Sequence, residues 1–120
     1  MNLECSLNDC KNYLIMLLNR LASPYEEQCK NIEKFAVWNL PEDIVSDWEN
    51  YDYFLNRLLD SGIVDNKIAV KFQEIVKRFD QVSTGGELYD DKIWTHEALK
   101  NHPFWQEQRK LATILLNLLN

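Results

Sequence analysis

Two histidines are the residues best suited to acid–base or metal chemistry, but their spacing fits neither. His96 and His102 are six residues apart, on either side of a helix break expected before Pro103. Two imidazoles that share one metal ion on a helix are normally four residues apart, and no His-Glu-x-x-His motif occurs. Because His102 directly precedes Pro103, we expect it to cap a helix. The histidines therefore do not predict a metal site.

Two other patterns fall short of a ligand-binding loop. Gly85-Gly86 lacks the Lys-Ser/Thr of a phosphate loop, and no glycine interrupts the acidic stretch from Asp47 to Asp52 as a calcium loop requires. We therefore expect no cofactor and no metal, and the sequence does not predict an enzyme. The alternative is an unrecognised active site in segment 94–105. Its first candidates are His96, Glu97 and Arg109.

The cysteines and the apolar runs bear on the cellular compartment. Cys5, Cys10 and Cys29 are odd in number, and no pair has the two- to four-residue gap of a zinc knuckle. Reduced thiols are the simplest interpretation, with Cys29 as a small core residue. The N-terminus lacks a secretory pattern, and the longest apolar run, 14–18, is far shorter than the roughly 20 residues that cross a bilayer. We predict a cytoplasmic protein that does not contact a membrane.

The elements that must position any site are helices. The chain has 120 residues, of which 46% are hydrophobic and 27% charged, which suits one globular domain. Apolar residues recur at three- and four-residue steps, and no alternating run of strand length occurs. We predict an all-α, single-domain bundle of five to six helices over residues 1–120. The expected helices are 7–21, 25–38, 42–60, 66–82 and 103–118, with a turn and a short helix within 87–101.

Capping residues mark where several of these helices begin and end. Ser6, and either Asp65 or Asn66, precede apolar periodic segments and are expected to accept backbone N–H groups there. Ser23 is expected to cap the second helix, with Pro24 in its first turn. Gly62 suits the left-handed residue that ends the third helix.

The net charge of the chain is concentrated in one segment. The formal charge is −6, from 13 basic and 19 acidic residues. Residues 42–65 contain seven acids and one base, and the remainder contains twelve of each, so the whole net charge belongs to the third helix and its flanks. A protein that holds nucleic acid needs the opposite sign, and we expect no nucleic-acid partner.

A helical projection of residues 42–60 separates an inward stripe from an outward acidic face. Ile44, Trp48 and Leu55 lie on the core side, whereas Tyr53 lies about 180° from Ile44. A tyrosine among carboxylates is typical of a protein-binding surface, because its ring buries area at little entropic cost. The alternatives are that Tyr53 packs against another helix or that the face is merely solvated. The predicted partner-binding residues are Asp43, Asp47, Glu49, Asp52, Tyr53, Asn56 and Asp60.

Two stretches at the ends of the chain resemble a known class of protein. Leu18-x-x-Leu21-x-Ser23-Pro24-Tyr25-x-x-Gln28 opens a helical hairpin, and Trp105-x-x-x-Arg109-x-x-Ala112-x-x-Leu115 closes the chain. Together with the acidic middle, they resemble small all-α bacterial proteins of the polymorphic-toxin immunity type. The resemblance implies a cytoplasmic protein that binds and neutralises one cognate toxin, often a cationic nuclease. It transfers no binding residue to this chain.

The charge distribution independently favours a basic protein as the partner. Carboxylates can occupy the positions where a nuclease would bind phosphates, and they accelerate encounter with a cationic surface. The sequence therefore predicts an acidic protein-binding module whose partner is a cognate protein toxin or another basic protein. The alternative is a homodimeric helical scaffold or regulatory protein, in which Tyr53 seals a two-fold interface.

Overall fold

The chain folds into helices joined by short connections. A computed structural model describes residues 6–29 and 40–119. Within these ranges there is no strand, which confirms the predicted all-α single-domain bundle. Residues 25–29 are helical, and a single turn of 3₁₀ helix spans Asp91–Trp94. The α-helices are α1 (Leu7–Ala22), α2 (Leu40–Ser46), α3 (Tyr51–Asp60), α4 (Asn66–Val82), α5 (His96–Asn101) and α6 (Pro103–Leu119). Cys5 and the remainder of the predicted second helix, residues 30–38, lie outside the described residues.

Most of the predicted caps form. The Ser6 hydroxyl accepts the Asp9 N–H at 3.1 Å, and the Asp65 carboxylate accepts the Ile68 N–H at 3.0 Å. Gly62 follows α3 with φ at +80°, the left-handed conformation expected of a residue that ends a helix. The prediction for Ser23 was wrong. Its hydroxyl donates to the Asn19 carbonyl at 2.6 Å and so completes the end of α1, rather than capping the next helix.

The predicted continuous helix over 42–60 is also wrong, because a turn at residues 47–50 separates α2 from α3. Here the Trp48 N–H donates to the Val45 carbonyl at 2.9 Å, and the Tyr51 N–H donates to the Trp48 carbonyl at 3.2 Å. In a continuous helix the Tyr51 N–H would bind the Asp47 carbonyl. That carbonyl instead accepts the Tyr13 hydroxyl at 3.1 Å, which ties the turn to α1.

The core lies between α1, α6 and the helices packed on them. α1 contacts mainly α6 and α3, and α4 also packs on α6. Trp105 is completely buried, and its indole N–H donates to the Ile93 carbonyl at 2.8 Å. At the end of α6 Leu119 is buried, whereas Leu118 is 49% exposed. Leu119 follows Leu115 by four residues, and the 3.6-residue period of the helix places two residues at this spacing on the same face.

Candidate functional site: an acidic surface around Tyr53

α3 presents one side to solvent because its other side anchors it in the core. Leu55 and Leu58 are 2% and 0% exposed. Asp52 lies in the first turn, where the positive end of the helix dipole favours a carboxylate, and it accepts the Tyr53 N–H at 2.9 Å. Because residues three and four apart share a helix face, Tyr53, Asn56 and Asp60 lie in one row. The sequence of α3 thus fixes which side chains face outward.

Tyr53 lies on the surface with its ring braced by aromatic neighbours. Its side chain is 46% exposed. The edge of the ring meets Phe54, with the centroids 5.2 Å apart and the planes at 80°. Phe54 in turn lies 4.2 Å from the ring of Tyr13 on α1. These contacts restrict the ring while leaving one side accessible, which lowers the entropy cost of burying it against a partner.

The other members of this surface are exposed and acidic or polar. We call Glu49, Asp52, Tyr53, Asn56 and Asp60 the Tyr53 surface; all five are exposed. Across the described ranges no salt bridge involves any of its three carboxylates. Arg57, the base on the same helix, is half-buried and directs a guanidinium nitrogen to Cys10 Sγ at 3.6 Å. The surface therefore keeps three negative charges beside an accessible aromatic ring.

Asp43 and Asp47 do not extend this surface as predicted, because Arg20 of α1 binds both. One guanidinium nitrogen contacts each carboxylate, and both acids are partly buried. Burial raises the pKa of Asp47 above its ordinary value, and this effect outweighs the attraction of Arg20, which lowers it. The two acids hold α2 against α1. The turn at 47–50 accounts for the difference, since it breaks the helical register that related them to Tyr53.

The residues first considered for catalysis have separate partners. The Tyr25 hydroxyl and His96 Nδ1 are 3.2 Å apart, whereas Glu97 is exposed. Arg109 donates to the Ser23 carbonyl at 3.2 Å and also to the Leu99 carbonyl. Burial lowers the pKa of Arg109. Its donors are committed to joining elements of the fold, so Arg109 is a structural residue.

His102 has the predicted capping role. Its backbone N–H donates to the Ala98 carbonyl at 2.7 Å, which ends α5. Its Nδ1 accepts the Phe104 N–H at 3.0 Å, which satisfies a free donor at the start of α6. His102 therefore serves two adjacent helix ends, one through its backbone N–H and the other through its ring.

The two stretches that carry the family resemblance meet in the structure. Arg109 donates to the side-chain oxygen of Gln28 at 3.0 Å, as well as to the Ser23 carbonyl. Gln28 is 1% exposed, and its amide donates to the Arg20 and Leu21 carbonyls at 3.0 and 3.4 Å. These polar residues thus support packing between the start and the end of the chain.

Searches for metal sites, membrane spans and related proteins add no positive assignment. In the part of the chain that the structure describes, no three His, Cys, Asp or Glu side chains are grouped to hold a metal ion. No helix in that part is both long and apolar enough to traverse a membrane. Comparison of the chain with protein-family models, curated proteins and solved structures gave no match.

Proposed function

We propose that this protein is a binding module that uses the Tyr53 surface to hold a basic protein. The observation that carries the proposal is the 46% exposed ring of Tyr53, braced by Phe54 and accompanied on α3 by the exposed Asp52 and Asp60, with exposed Glu49 in the turn before the helix. Interface hot spots are commonly aromatic residues held rigidly among polar groups that exclude water. Charged rim residues then steer the partner and fix its orientation.

The proposed biological role is that of a cytoplasmic bacterial immunity protein that neutralises a cognate toxin. The resemblance at the two ends of the chain and the sign of the charge support this role. A nuclease toxin must attract phosphates, so its binding face carries bases that three carboxylates can engage. An inhibitor seated on that face would block access of nucleic acid. The same chemistry applies to any partner with a basic face. The immunity role therefore needs a test of its own, which co-expression with the partner provides.

The experiment compares three versions of the protein as bait in extracts of the native cell. They are the wild type, the double variant Tyr53→Ala/Asp60→Lys, and the control Val70→Ala/Glu74→Lys. The control also removes an exposed apolar side chain and raises the net charge by two, but on the outer side of α4. We expect a basic protein captured by the wild type and the control and depleted with the Tyr53 variant.

Co-expression then tests neutralisation. The captured protein, expressed alone, should arrest growth, and the wild type should restore growth while the Tyr53 variant does not. A captured protein without toxicity would remove the immunity role but keep the binding module. Equal capture by all three baits would refute the Tyr53 surface as the site. A wild-type dimer that becomes monomeric in the Tyr53 variant, measured by light scattering, would replace the proposal with a homodimer.

A further inference from the structure

A cleft of about 520 Å³ lies beside α2, and none of its described lining residues belongs to the Tyr53 surface. Glu42 and Ser46 of α2 line one side, at positions four residues apart on one helix face. Asp91 and Trp94 of the 3₁₀ turn line another. Its volume falls within the roughly 300–1,000 Å³ range of small-ligand pockets in proteins. The cleft is thus large enough to admit a side chain of a partner.

The cleft favours a positively charged occupant. Glu42 and Asp91 are among its lining residues, and no lysine or arginine lines it among the residues that the structure describes. Ser83 and Thr84, directly after α4, also line it, so the negative end of the α4 dipole faces the cleft. Glu42 and Asp91 are 49 residues apart in the sequence, and the fold brings both to the same cavity.

Aromatic walls make a planar organic cation a better fit than a metal ion. Tyr89 is 49% exposed at the cleft, and Trp94 is half-buried there. The Trp94 indole N–H donates to the Val82 carbonyl at 2.9 Å, which fixes the ring on the end of α4. Aromatic faces attract cations, and guanidinium groups stack on them while pairing with carboxylates. A metal ion would need several converging oxygen ligands, for which phenol and indole rings are unsuitable.

We propose that the cleft binds the guanidinium group of an arginine side chain. The group would stack on Tyr89 and pair with Asp91, while the negative charge of Glu42 adds to the potential of the cleft and the Ser46 and Thr84 hydroxyls accept outer N–H groups. We infer that this arginine belongs to the basic partner, so the source of the arginine rests on the proposed function. The cleft then provides a second point of attachment, separate from the Tyr53 surface.

The test is a titration of the whole ¹⁵N-labelled protein with Nα-acetyl-arginine amide, followed by NMR. We expect saturable shifts of the Trp94 indole and Tyr89 backbone N–H signals. Asp91→Asn should weaken binding about three-fold, as for one exposed charge pair, and Glu42→Gln/Asp91→Asn about ten-fold. The matched control is Glu87→Gln, which removes an exposed carboxylate from the same connection but not from the cleft lining. It should change affinity less than two-fold.

Several outcomes would overturn the proposal. These are the absence of saturable shifts and a weakening by Glu87→Gln equal to that by Asp91→Asn. A third is binding of the neutral citrulline analogue as tight as that of the arginine probe, which would show that the cleft does not recognise the charge. Equal affinity for Nα-acetyl-lysine amide would refute a guanidinium site. The probe needs no protein partner, so this test is separate from that of the Tyr53 surface. Tyr53→Ala/Asp60→Lys should leave the Trp94 shifts in place.

Discussion

Replacing Arg109 with methionine should destabilise the fold strongly, although the residue lies far from both proposed binding sites in the sequence. Methionine keeps much of the side-chain stem but removes every donor. The change leaves the Ser23 carbonyl, the Leu99 carbonyl and the Gln28 side-chain oxygen without this partner. An unsatisfied buried acceptor costs about 1–3 kcal/mol. Since Arg109 is half-buried, we take the lower end of this range for each of the three acceptors. The free energy of unfolding should therefore fall by about 3 kcal/mol.

The assay is urea unfolding followed by far-ultraviolet circular dichroism, with the matched variant Lys110→Met as the control. Lys110 is exposed on the same helix, so its variant should change the free energy of unfolding by less than about 0.5 kcal/mol. A loss of 3 kcal/mol should lower the Tm by about 10 °C in a domain of this size. A double-mutant cycle with Gln28→Leu should show a coupling of about 1 kcal/mol. An Arg109→Met variant as stable as Lys110→Met, or strict additivity with Gln28→Leu, would refute the role assigned to this contact.

Three further predictions concern pH, a turn and a thiol. Because burial raises the pKa of Asp47, the folded state binds the proton of this carboxyl group more tightly than the unfolded chain does. The protonated carboxyl group therefore stabilises the fold at low pH, and this contribution is lost as the pH rises through the raised pKa. In urea unfolding, Asp47→Asn should therefore gain stability relative to the wild type as the pH rises from below the ordinary Asp pKa toward neutrality, and a constant or shrinking difference would contradict this. Gly62→Ala should cost about 1 kcal/mol because φ is +80°, and an unchanged Tm would argue against a left-handed residue there. Cys10 is 0% exposed, so mass spectrometry of alkylated native protein should find it labelled more slowly than half-buried Cys29, and equal rates would be inconsistent with its burial.

The elements whose signals are local in sequence could be predicted. Ser6, Asp65 and Gly62 act within one helical turn of themselves, so residue type alone indicated where helices begin and end. The short helix expected within residues 87–101 forms at His96–Asn101, where Thr95 caps it by accepting the Ala98 N–H at 3.0 Å. Exposure of Tyr53 followed from the period of the apolar residues around it.

Contacts between distant segments could not be predicted in this way. Nothing near Asp43 or Asp47 in the sequence indicated that Arg20 would bind both, and their partnership depends on a turn that periodicity did not reveal. Arg20 lies in the last turn of α1, where the helix dipole favours a basic side chain. Its residue type therefore gave no indication that it would bind two distant carboxylates. The proposed arginine-binding cleft could not be predicted because Glu42 and Asp91 are 49 residues apart in the sequence. Ser23 could satisfy either the helix before it or the one after it, and the sequence does not distinguish them.

Binding of a basic protein to the Tyr53 surface is tested most directly by isothermal titration calorimetry. The measurement gives the affinity of the captured basic protein for two charge-matched variants. Tyr53→Ala/Asp60→Lys should retain the wild-type helix content and weaken binding at least about 30-fold, which corresponds to roughly 2 kcal/mol for a truncated hot spot. Val70→Ala/Glu74→Lys should bind within two-fold of the wild type. If the Tyr53 variant is folded and binds as tightly as the control, the partner contacts another part of the molecule and the central claim is wrong.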